Sequence, residues 1–122
     1  MGEEELDNEV LGELAKDAES IKECEAIAAK YKARKVYKIK VPVGDEDSED
    51  YATAYFRKPN RVEFSAALAR QGRDPLGAKE MLLRVMFLEG DKRIYEDDYA
   101  LFCASLYVND MVGLVYGDIK KN

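Results

Sequence analysis

The segment from Val36 to Arg57 reads VYKIKVPVGDEDSEDYATAYFR, and its pattern indicates the architecture of the chain. In its first half apolar side chains alternate with two lysines, as is typical of a half-buried β-strand. The apolar side consists of Tyr37, Ile39, Val41 and Val43. The acidic segment 44–50 then predicts a turn, and the β-branched and aromatic run 51–56 predicts a second strand. Together they predict an antiparallel β-hairpin, which must pack on helices because an isolated hairpin is only marginally stable.

Helices are predicted on both sides of this hairpin. Residues 1–34 carry glutamates at the beginning and basic residues at the end, which complements a helix dipole, and their apolar residues follow a helical period. We predict an acidic amphipathic helix over 1–34 that lies on the domain, with a coiled-coil dimer arm as the alternative. Cap and stop residues predict the remaining helices after the hairpin. These helices are placed at 61–70, 75–89 and 98–116.

The chain is predicted to form one α+β domain, mostly helical, in which residues 35–122 follow the acidic N-terminal helix. Its 122 residues are 47% hydrophobic and 36% charged, which is enough apolar material for one core and excludes wholesale disorder. No apolar run is long enough to span a bilayer, and the acidic N-terminus is unlike a signal peptide. We therefore expect a cytoplasmic protein that does not bind membranes.

The composition also excludes several kinds of chemistry. The chain has no histidine, so it lacks the commonest general base and the commonest metal ligand. Its two cysteines, Cys24 and Cys103, are too few for structural zinc, and we predict buried free thiols, with a disulfide or a reactive nucleophile as the alternative. The net charge of −6 argues against nucleic-acid binding, which depends on dense Lys and Arg.

Three motifs resemble functional sites, and each lacks an essential residue. The spacing of Gly72 and Gly77 is that of a phosphate-binding loop, but no lysine directly follows the second glycine. The acidic loop 45–50 begins like a calcium-binding loop, but it has neither the glycine at the sixth position nor the glutamate at the twelfth. Asp97 and Asp98 are explained as a helix start. We therefore predict no catalytic, cofactor or metal site, and a protein that is not an enzyme.

A basic cluster stands out in this acidic chain. Arg57, Lys58 and Arg61 surround the corner between the second strand and the next helix. This cluster could bind an acidic segment of a protein partner. The alternative is that it balances the acidic hairpin loop or the glutamate-rich first helix within the same molecule.

The helices predicted at 75–89 and 98–116 are apolar on most sides. A small core is expected to leave part of them uncovered, and large exposed apolar patches normally mark protein contacts, so we expect a homo-oligomer or a partner-binding groove. Met81, Met86 and Met111 are candidate contact residues because methionine adapts to irregular surfaces. The alternative is that both helices and their methionines pack inside the domain.

Residues 36–121 resemble the tail assembly chaperone-like proteins encoded by tailed phages and prophages. The resemblance is carried by the segments 54–61, 74–75, 80–83, 90–91 and 120–121. It implies a non-enzymatic α+β protein that binds the long tape-measure protein, a hydrophobic helical client, during tail assembly and keeps it soluble. Two other functions remain open: an oligomeric structural accessory protein of a phage tail or capsid, and a small acidic regulator that binds an enzyme.

Overall fold

The predicted hairpin forms the centre of an antiparallel sheet in the structure, a computed structural model that describes residues 13–112. The strands, in spatial order, are β1 (Glu13–Leu14), β2 (Val36–Pro42), β3 (Tyr51–Arg57) and β4 (Phe87–Gly90). β2 and β3 pair over their full lengths. The predicted α+β class is confirmed, and the hairpin gains a further strand on each side.

The described helices surround this sheet and begin where the polar cap signals place them. They are α1 (Ala18–Tyr31), α2 (Arg61–Gln71), α3 (Pro75–Met86), α4 (Arg93–Glu96), α5 (Asp98–Ser105) and α6 (Val108–Val112). The side chains of Asn60, Asp74 and Asp97 each accept a hydrogen bond from the first turn of α2, α3 and α5, at 2.8–2.9 Å. Such bonds satisfy amide groups that have no partner within the helix.

The N-terminal helix is shorter than predicted. α1 begins after Asp17, whose carboxylate accepts a hydrogen bond from the Ser20 amide, and ends at Lys32, which adopts a left-handed conformation with φ of 56°. Glu13 and Leu14 lie in a strand instead, because they pair with Lys40 and Ile39 of β2. Residues 1–12 lie outside the described range.

The other two long helices also differ from their predicted bounds. The helix predicted at 75–89 ends at Met86, because the next four residues pair with β3 as β4. An apolar run fits a buried strand as well as a helix, so periodicity alone could not distinguish them. The helix predicted at 98–116 is divided into α5 and α6 by a turn at residues 106–107, and residues 113–116 are outside the described range.

One face of the hairpin closes the hydrophobic core. This face packs against α3, α4 and α5, and five of its side chains have no exposed surface. They are Ile39, Val41, Ala52, Ala54 and Phe56. Up to residue 112, the predicted exposed flank of the two apolar helices is therefore largely covered within one chain, and the alternative of internal packing accounts for most of it. Four large apolar side chains of these two segments stay exposed: Leu76, Val85, Phe102 and Leu106.

The opposite face of the hairpin is polar and carries α1. Lys38 Nζ donates to Glu23 Oε1 at 2.6 Å and to Ser20 Oγ at 3.2 Å, and the Tyr55 hydroxyl donates to Glu23 Oε1 at 3.3 Å. The hydrogen bond to Glu23 raises the pKa of Lys38, which keeps the ammonium charged in this half-buried position. These contacts fasten the middle of α1 to β2 and β3.

A second polar contact holds the end of α1 on β4. Lys30 Nζ and the Tyr31 hydroxyl both donate to Glu89 Oε1, at 2.8 and 2.9 Å. Within α1 only Ser20 and Cys24 are buried. α1 is thus attached to the sheet mainly through ion pairs and hydrogen bonds, in contrast to the apolar packing of α3 and α5.

The close approach of β4 to β3 requires a glycine at position 90. Gly90 has φ of +130°, and a Cβ there would lie 2.5 Å from Ala54 Cα and 2.6 Å from the Thr53 carbonyl oxygen. We expect Gly90→Ala to lower the free energy of unfolding by about 2 kcal/mol or more, since backbone strain and steric overlap add. Urea denaturation measures this. Gly72→Ala is the matched control, because a Cβ there meets nothing within 4 Å, and an equal loss in both variants would contradict the prediction.

Candidate functional site

A groove of about 490 Å³ opens between α1 and the edge of the sheet formed by β1 and β2. One side of α1 lines the groove with Ile21, Cys24 and Ala28, which the helical spacing places on the same face. β1 and β2 contribute the remaining apolar residues, which are Leu14, Val36 and Tyr37. We call this space the α1 groove. Ile21 is 48% exposed, so an apolar side chain faces solvent where a partner could cover it.

The rim of the α1 groove is basic. Lys16, Arg34 and Lys35 line it, with Glu25 as the acidic residue among the lining side chains. Over residues 13–112 none of the three cations forms a salt bridge. Lys35 Nζ lies 5.2 Å from the centre of the Tyr37 ring, a cation–π contact that leaves the ammonium at the rim. An apolar groove whose rim cations form no ion pair within residues 13–112 is complementary to an apolar segment flanked by carboxylates.

Cys24 contributes an apolar surface to the groove and no reactive thiolate. Burial raises the pKa of its thiol, which favours the protonated form. Cys103 lies in the core, and burial raises its pKa as well. Both cysteines are free and buried, so the prediction of buried free thiols is confirmed.

Arg57, predicted to bind a partner, is engaged within the molecule. Its guanidinium donates to both carboxylate oxygens of Glu63, at 2.8 and 2.9 Å, and to the Val85 carbonyl oxygen at 2.7 Å. The Glu63 carboxylate also accepts a hydrogen bond from the backbone N–H of Asn60, which completes a capping box at the start of α2. The alternative of internal charge balance therefore accounts for Arg57, although its partner lies on α2 and not in the acidic loop or the first helix.

Lys58 and Arg61 remain exposed and form a separate surface. They line a small pocket of about 200 Å³ beside Phe64 and Val112, and neither has an ion-pair partner in the described part of the chain. The neighbouring Val62 is 79% exposed. We call this surface, Lys58 with Arg61 and Val62, the basic corner.

The three candidate methionines lie in different surroundings. Met86 and Met111 are both 0% exposed in the core, so in this fold they present no surface to a partner and the core interpretation accounts for them. Met81 is half-buried and packs against the edge of the core. Of the six predicted partner-binding residues, the structure brings only Lys58 and Arg61 together on an exposed surface.

Two carboxylates of the acidic hairpin loop, Asp45 and Asp50, are engaged within the described part of the chain. Asp45 Oδ1 accepts from the Asp47 amide at 2.9 Å, and Asp50 pairs with Arg93 at 2.6 Å. In the range 13–112 no group of three or more carboxylates and thiols is arranged to hold a metal ion. No helix in the same range is long and apolar enough to cross a membrane.

Sequence reasoning did not find the α1 groove. Ile21 and Ala28 belong to the apolar pattern of the predicted N-terminal helix, and that pattern is the signal that could have indicated an apolar surface on α1. The position of α1 beside the sheet edge depends on β1 and on the Lys38–Glu23 contact, and neither of these has a local sequence signal. Lys16, Arg34 and Lys35 come together only in the folded chain.

Comparison of this chain with protein-family models, with curated proteins and with solved structures finds no match in any of the three. The α1 groove and the basic corner are therefore the features on which a function can be proposed.

The Arg57–Glu63 pair makes a pH-dependent contribution to stability. The pair with Arg57 holds the pKa of Glu63 below its usual value of 4.5. A carboxylate whose pKa is lowered in the folded state stabilises the fold above about pH 4.5. This contribution is lost as the pH falls from about 4.5 through the lower pKa of the folded state. We expect Glu63→Gln to cost about 1 kcal/mol at pH 7 and progressively less below pH 4.5. Urea denaturation from pH 7 to pH 3 measures the difference, and a difference that stays constant would contradict this.

Proposed function

We propose that this protein is a non-enzymatic, protein-binding assembly factor that holds an apolar segment of a client protein in the α1 groove. The observation that carries the proposal is the groove itself, about 490 Å³ of space lined mostly by apolar side chains between a helix and a sheet edge. A groove of this kind suits the apolar side chains on one face of a helical segment.

The basic rim specifies the chemistry of the client. Lys16, Arg34 and Lys35 have no carboxylate partner between residues 13 and 112, so a client with acidic residues beside its apolar face would supply the missing charges. Exposed cations of this kind steer association and select among partners more than they add affinity. The apolar contact with Ile21 and Ala28 would supply most of the binding free energy.

Within this function we propose a role like that of the phage tail assembly chaperones, acting in the bacterial cytoplasm on a tape-measure-like client. The support is the resemblance of residues 36–121 together with an apolar groove on an otherwise acidic protein. A chaperone for an apolar helical client needs a surface that the client can later leave, and a net charge of −6 would help to keep the complex soluble. The groove lies partly on α1, outside the segment that carries the resemblance.

The proposal is tested by co-expression with an apolar helical fragment of a phage tape-measure protein. The wild-type chain is expected to raise the soluble fraction of the fragment, and Ile21→Asp to abolish most of that increase, because a charge would replace the apolar contact. Leu76→Asp is the matched control, since Leu76 is similarly exposed at 42% and lies outside the groove. Equal rescue by both variants, or no rescue by the wild type, would contradict the proposal.

Alkylation of Cys24 reports on the groove directly. We expect the bound client fragment to slow the reaction of Cys24 with a thiol reagent severalfold, because the thiol lines the groove. Cys103 provides the internal control, since it has no exposed surface and is expected to react only on unfolding. A fragment that binds without changing the Cys24 rate would place the client elsewhere on the protein.

A further inference from the structure

A second surface feature is independent of the α1 groove: the two ends of β3 carry opposite charge. At one end the hairpin loop 44–50 holds five carboxylates and no basic residue. At the other end lie Lys58 and Arg61 of the basic corner. Residues 57–73 hold five basic residues and one acidic residue, a balance of +4, so the rest of the chain carries −6 − 4 = −10.

The charges at both ends are available to a partner. Of the loop carboxylates only Asp50 forms an ion pair within residues 13–112, and its partner is Arg93. Asp47 and Glu49 are exposed. We call Asp47 and Glu49, with the loop that holds them, the acidic tip.

Each end also presents an exposed apolar side chain. Val62 is 79% exposed at the basic corner, and Tyr51, beside the acidic tip, is 38% exposed. The pocket of about 200 Å³ at the basic corner adds a concave apolar surface between the two cations. The two ends are therefore complementary in charge, and each adds exposed apolar surface.

The acidic tip cannot reach the basic corner of its own chain. β3 spans seven residues, Tyr51–Arg57, so the two ends lie about 20 Å apart at a rise of about 3.3 Å per residue. A second copy of the chain has no such restriction.

We propose that the acidic tip of one copy binds the basic corner of the next, so that the protein forms head-to-tail homo-oligomers. Repeated in one direction, this contact produces rings or open filaments, whereas two antiparallel copies that make it twice form a closed two-fold dimer, and the mass reached at high concentration distinguishes them. The interface is held mainly by exposed charges, so its affinity falls with salt. It supports an oligomeric structural accessory protein as a second function.

Sedimentation of the full-length protein at increasing concentration provides the first test. At about 0.05 M salt the weight-average mass is expected to at least double over the series, and at about 1 M salt, where the screening length is about 3 Å, the protein is expected to stay monomeric. A monomer at every concentration in low salt would overturn the proposal.

Charge exchange provides the sharper test. Lys58→Glu with Arg61→Glu makes both ends acidic. Glu46→Lys, Asp47→Lys and Glu49→Lys together change the charge of the loop 44–50 from −5 to +1, so that both ends are basic. Each of these two variants alone is expected to remain monomeric. An equimolar mixture is expected to associate again, because each end of one variant is then opposite in charge to an end of the other.

The control is Lys22→Glu with Arg84→Glu, two exposed residues on α1 and α3 that belong to neither the acidic tip nor the basic corner and whose reversal gives the same net charge as the corner variant. This control is expected to associate as the wild type does, and Ile21→Asp likewise, which separates self-association from client binding. A mixture that stays monomeric, or a control that loses association as fully as the corner variant, would overturn the proposal. Unfolding midpoints show whether the variants are folded. If one variant is unfolded, sedimentation of the wild-type protein at low and high salt still tests the proposal.

Discussion

The rest of the structure depends on the register between β2 and β3. Because side chains alternate along a strand, this register places Ile39 and Val41 in the core and turns Lys38 toward α1. A slip of one residue would exchange the two faces and expose the core side chains. One pairing therefore determines the core, the position of α1 and, through α1, the groove.

The two faces of the hairpin hold their helices in different ways. On the core face, burial of apolar area stabilises the contacts with α3 and α5, at roughly 25 cal/mol per Å². On the other face, α1 is fastened by Lys38 with Glu23 and by Lys30 with Glu89. Partly exposed ion pairs contribute little, commonly about 0–1 kcal/mol each. A groove lies under the apolar side of α1, and this is the surface on which we propose that a client binds.

The hairpin and the helix starts could be predicted because their signals are local. Alternation in β2 and the caps at Asn60 and Asp74 depend on residues within one turn or one strand of each other. β4 could not be distinguished from a continuation of α3, since its position depends on β3: Phe87 packs against Phe56 with ring centres 5.9 Å apart. Local pattern indicates that a segment is apolar, but not which segment covers it.

The same reason explains what could be predicted of the candidate site. Lys58 and Arg61 form an exposed surface, as their position at a strand-to-helix corner suggested, while Met86 belongs to the core because α3 packs on the sheet. Lys16 precedes α1 while Arg34 and Lys35 follow it, and only the position of α1 on the sheet brings these cations to one rim. Surfaces built by tertiary contacts of this kind carry no motif.

Native-state hydrogen exchange of the full chain tests most directly whether α1 is held by polar contacts above an open groove. Amides of β2, β3 and α3 are expected to exchange only through global unfolding, while those of α1 exchange through a local opening of lower free energy that decreases further as salt is added. Protection of α1 equal to that of β2 and β3 and unaffected by salt would contradict this, because α1 would then be part of the cooperative core.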